Sequence, residues 1–176
     1  MKMKVRPMLV LKIAIGLLIV FAVSLSLLYL KIFRPVIIEI KKARQREMRL
    51  LCETDHQALL EACREISRQV ARGDLKKSQY WIRKNPDPET SRFPQVILEL
   101  EATYINIDQD GRLMVELGGG LDHFGVYAYP EDYKYEEPIS DHGDKELIPG
   151  LWFYADGYRE SPEYQKKTDT LLQKRK

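Results

Sequence analysis

"TYINIDQDGRLMVEL", residues 103–117, decides the fold of this chain. Apolar and polar residues alternate on both sides of Gln109-Asp110-Gly111, the period of a strand whose two faces meet different surroundings. The Asp-Gly pair supplies the positive-φ position that a tight hairpin needs. Folded that way, Ile105, Ile107, Leu113, Val115 and Leu117 share one face. Tyr104, Asn106, Met114 and Glu116 point the other way.

Two further stretches continue this sheet. "FGVYAY" (124–129) adds Phe124, Val126 and Ala128 to the apolar face, and "LWFYA" (151–155) adds Leu151 and Phe153. An acidic loop, residues 131–146, lies between them, and "NPDPETSRFP" (85–94) reads as a turn-rich linker before a short helix. Upstream, Leu59, Ala62, Cys63, Ile66 and Val70 step by three or four, the stripe of a helix with one buried side. Thr54 is its expected N-cap, Gly73 its stop, and His56 an exposed imidazole in its first turn. The expected fold is an N-terminal single transmembrane helix plus an α+β domain: an antiparallel sheet of about four strands with one main helix packed on one face.

Charge is distributed unevenly over the 176 residues, whose net is +2. Residues 1–34 carry six basic and no acidic side chains. Residues 35–84 carry twelve basic and seven acidic, a net of +5. Residues 85–176 carry ten basic and nineteen acidic, a net of −9, which excludes a phosphate-binding, nucleic-acid role for that half. From Ile13 to Leu30, "IAIGLLIVFAVSLSLLYL" has no charge, the length that crosses a bilayer. The competing reading is a signal peptide cut after Ala22-Val23-Ser24, which would leave a sticky apolar N-terminus. A strict positive-inside count puts the large domain in the cytoplasm, while balanced charges beside the span allow export. The expected division is a membrane anchor (1–34), a basic juxtamembrane helix (35–53), the α+β domain (54–160) and a polar basic tail (161–176). Cys52 and Cys63, eleven apart, would sit about 16 Å apart on one helix. That is beyond the reach of a disulfide, so both read as free.

Every histidine follows an aspartate, in "TDHQ", "LDHF" and "SDHGD". Asp122, His123, Asp141 and His142 have the right chemistry for zinc, iron or manganese, and would serve a metal-dependent hydrolase. Adjacent strand residues point to opposite faces, however, and no short ligand spacing is present. The simpler reading is that Gly118, Gly119 and Gly120 make a bulged turn, with Asp122 satisfying its amides. No nucleophile elbow, catalytic cysteine signature or phosphate loop occurs, so no catalytic residue or cofactor is expected.

Tyr104, Tyr127, Tyr129, Trp152 and Tyr154 should project together from the face opposite the helix. Aromatic rings of this kind serve docking of partners, sugars or headgroups, and they also decorate sheets for cross-strand packing alone. The acidic loop and residues 79–84 are the segments that would cover them. "GGGLDHFGVYAYP" and "ELIPGLWFYADGY" resemble segments of a small family of bacterial membrane-anchored proteins, which implies an inner-membrane setting and no particular activity. The expected protein is therefore a single-pass binding or scaffold module rather than an enzyme. It would have the lipid bilayer and a protein in the membrane or envelope as partners. The rival functions are the metal hydrolase and a glycan or small-ligand sensor using the aromatic face.

Overall fold

The structure, a computed structural model, describes residues 7–76, 78–118, 123–133, 144–156 and 161–173. The chain divides into two units, residues 1–42 and 43–176. The first holds a long apolar helix, α1 (Pro7–Leu28), then a π-helical turn (Tyr29–Phe33) and the start of α2 (Arg34–Met48). Among the described residues α1 has no charge but Lys12.

The second unit is α+β, as the alternating strands predict, but among the described residues its sheet has six strands instead of about four. They are β1 (Gln79–Trp81), β2 (Tyr104–Ile107), β3 (Leu113–Glu116), β4 (Phe124–Ala128), β5 (Lys145–Ile148) and β6 (Leu151–Ala155). Their order is β1-β2-β3-β4-β6-β5, and every neighbouring pair is antiparallel. The two extra strands are the edges. β1 has three residues and joins because Ile107 donates its amide to Ser78 and Ile82 to Thr103, outside any apolar alternation. Residues 79–81 therefore extend the sheet and do not cover it. The hairpin between β2 and β3 turns at Gly111 (φ +80), where the Gly111 amide donates to Asp108 O at 3.0 Å.

The inward residues of β2, β3, β4 and β6 are buried as the pattern requires. The cover is α3 (His56–Ala71), whose Leu59, Leu60, Cys63 and Ile66 complete the core, with Ile97 from α4 (Gln95–Glu99). Asp55, not Thr54, caps α3: its Oδ1 accepts from the amides of Gln57 (2.9 Å) and Ala58 (3.1 Å). Thr54 instead closes the preceding π-turn (Arg49–Glu53) by donating both N and Oγ1 to Arg49 O. His56 is buried, not exposed, with Nε2 2.9 Å from Leu50 O. It meets a carbonyl that the irregular helix end would leave unpaired. Cys52 is half-buried, Cys63 is buried with its thiol pushed well up by desolvation, and both are free.

Within this unit the end of α2 and the π-turn after it belong to the core. Leu50 and Leu51 are fully buried, and buried Arg46 donates Nε to Leu117 O at 3.0 Å. The tail folds as α5 (Pro162–Gln173), held through a Tyr164–Glu47 hydrogen bond and Lys145 Nζ, which donates to Gln165 O at 2.7 Å. Phe124 opens β4 and is fully enclosed. Phe124→Ala should therefore destabilise the domain by about 3–5 kcal/mol. His123→Ala, at a half-exposed neighbour, should stay within about 0.5 kcal/mol. Chemical denaturation of the two detergent-solubilised variants checks the ranking.

Candidate functional site

Because side chains alternate along each strand, the outward residues of this sheet form cross-strand rows. One row runs Trp81, Tyr104, Glu116, Gly125, Tyr154. The next runs Gln79, Asn106, Met114, Tyr127, Trp152, Glu146. Register thus gathers Tyr104, Tyr127, Trp152 and Tyr154 on one face. Trp81 joins them, its ring 5.3 Å from that of Tyr104.

Gly125 interrupts the first row in the middle of the sheet. A Cβ there would lie 1.9 Å from Val115 O and 3.0 Å from the Tyr154 hydroxyl, so no side chain fits. The Tyr154 hydroxyl reaches across this gap and donates to Glu116 Oε2 at 2.5 Å. Glu116 is only 2% exposed although it points away from the core. Among the described residues its Oε1 is buried without a hydrogen bond, with His123 Nδ1 at ion-pair distance, 3.4 Å.

The electrostatics follow from this enclosure. Burial raises the Glu116 pKa above its ordinary 4.5, while Tyr154, His123 and the Phe124 amide draw it the other way less strongly. Tyr154 is pushed far up, by desolvation first and then by the Glu116 charge, so its phenol stays protonated. Burial also raises Tyr127 and Tyr104. Tyr127 packs its ring 4.5 Å from that of Tyr154. On the Tyr127 ring lies the Arg112 guanidinium, 5.1 Å from the centroid, held by Asp108 Oδ2 at 2.5 Å.

These groups border a cavity of about 300 Å³ over the outward face, and Asp144 and Asp156 complete its rim. Four of the five expected aromatic residues line it: Tyr104, Tyr127, Tyr129 and Tyr154. Trp152 stands beside Tyr127 in the second row and does not line it. Tyr129 and Tyr154 are buried, so the face is a walled recess more than an open aromatic platform. Of the four metal candidates, His123 is described, half-exposed at the rim and turned to Glu116. Asp122, Asp141 and His142 lie outside the described residues. Among the described residues no three His, Cys, Asp or Glu gather in a metal-binding group. Leu117 and Gly118 both donate their amides to Phe124 O, the two-on-one pattern of a bulge just after β3, while Gly119 and Gly120 lie outside the described residues.

Glu116, Arg112 and Asp156 escape the sequence reading, since each looks like an ordinary exposed polar residue. The available signal was Gly125, a glycine in mid-strand, which marks a close approach of other groups.

A carboxyl whose folded pKa is raised favours the folded state while protonated. Its contribution is complete below the ordinary value and is lost as pH rises through the raised one. The stability of Glu116→Gln relative to the native chain should therefore grow from about pH 4.5 upward and then level off. Melting curves of both chains across that window test it, and a pH-independent difference would contradict the burial argument. Searched against protein-family models, curated proteins and solved structures, the chain matches none, so the geometry of this recess alone carries the functional reading.

Proposed function

We propose that this is a single-pass membrane protein carrying a small α+β binding or scaffold module, and that the outward recess of the sheet is where a partner docks. One observation carries the docking site: a nearly fully buried carboxylate whose Oε1 lacks a donor, in a tyrosine-walled cavity. Buried polar groups are ordinarily hydrogen-bonded, and leaving one unmade is destabilising by about 1–3 kcal/mol. A group that the free protein leaves short is one that a ligand completes.

The anchor reading is supported by α1. Its 22 residues would reach about 33 Å, enough for the hydrocarbon core. Leu17 and Leu18 are 66% and 67% exposed, an apolar surface suited to lipid. Alkaline carbonate washing should leave the full chain in the membrane pellet; release into the supernatant would point to a cleaved signal sequence and remove the anchor.

For the docking face, a photo-reactive benzophenone residue replacing Tyr104 should give one discrete adduct in membranes. The same group replacing exposed Gln57 on α3 should give none. Equal labelling from both positions, or none from Tyr104, would remove the sheet face as the contact.

A further inference from the structure

The recess is acidic as well as aromatic. Glu116, Asp144 and Asp156 border it. The arginine on its wall, Arg112, is already engaged by Asp108 at 2.5 Å and by the Tyr127 ring. Resting on the reading of this face as a docking site, we propose that it receives a single basic side chain, lysine or arginine, of a partner protein. The N–H of that side chain donates to Glu116 Oε1 between the rings of Tyr104 and Tyr154.

Four observations select this ligand. Oε1 needs a donor, and the Tyr154 hydroxyl is committed to Oε2 while His123 Nδ1 stands off at 3.4 Å. Three carboxylates repel a phosphate or carboxylate ligand and attract a cation. A neutral hydroxyl would supply a hydrogen bond but no positive charge to meet the acidic lining. The tyrosine faces suit a cation, and Arg112 lying on Tyr127 shows that this surface accommodates a guanidinium. Finally, about 300 Å³ is at the lower end of ligand cavities, room for one side chain and not for an extended ligand.

Proton linkage gives the site a signature. The groups facing Glu116 are Tyr104 from β2, Tyr154 from β6 and His123 at the entrance to β4. Burial keeps both phenols neutral. Burial also makes Glu116 hold its proton above the usual carboxylate range, and an incoming cation must displace it. Binding therefore releases protons and tightens as pH rises.

The test is calorimetric titration of the detergent-solubilised full chain with four probes. These are acetyl-Gly-Lys-Gly-amide, its arginine counterpart, the uncharged norleucine counterpart and N-acetylglucosamine. Two buffers of different ionisation heat report the protons released. At about pH 7 a basic peptide should bind at least about tenfold more tightly than the norleucine peptide and the sugar, and should weaken toward about pH 5. Glu116→Gln should lose at least about tenfold in affinity while keeping a cooperative melt; Glu61→Gln on exposed α3 should not change it. Equal binding of norleucine or sugar overturns the cation assignment, as does an affinity that does not fall as pH is lowered. If no probe binds yet the Tyr104 adduct still forms, the docking face stands and only its ligand class is wrong. Loss of both signals removes both readings.

Discussion

One hydrogen bond organises the outward half of this domain: Tyr154 to Glu116 across the space that Gly125 leaves empty. It spans three strands, β3, β4 and β6, and it needs each at its observed register. A shift of one residue would send Glu116 into the apolar core and Tyr154 away from it, because strand faces alternate. Glycine at 125 is required by the opposite constraint, a carbonyl of the neighbouring strand lying where a Cβ would stand. Enclosure by this bridge takes the carboxylate out of water. The raised pKa, the neutral phenol and the unmatched oxygen follow from that enclosure, and with them the chemistry of the recess.

The same register is held from the other side by the core. Leu113, Val115, Val126 and Phe153 bury against α3, and the apolar alternation fixes which face looks inward. The end of α2 adds a polar tie. Arg46 donates to Leu117 O, one residue beyond Glu116, while Leu50 and Leu51 fill the core beneath. A buried arginine is tolerable where its donors meet fixed acceptors, and a strand-end carbonyl is one. The basic segment that precedes the domain in sequence thus ends as a structural member of it. Glu47 and α5 close the same corner through Tyr164.

Much of this was legible in the sequence because it is local. The hairpin around Gly111, the inward and outward sets of β2, β3, β4 and β6, and the stripe of α3 all follow from periodicities of two and of 3.6. Periodicity does not reach the edges. β1 and β5 carry no clean alternation, and pairing with β2 and β6 makes them strands. His56 likewise carries a first-turn, solvent-like local pattern. It is buried because the irregular turn at Arg49–Glu53 leaves the Leu50 carbonyl pointing at it.

The sequence by itself determined an apolar N-terminal helix, an antiparallel α+β unit and a face rich in tyrosine, since each is written in residue spacing along one element. Only the tertiary structure decided that Glu116, spaced like an exposed polar residue, is buried. Its partners come from positions 123 and 154, and a glycine at 125 lets them in. Burial is a property of what crosses over a side chain, and what crosses over Glu116 is 38 residues away in the chain.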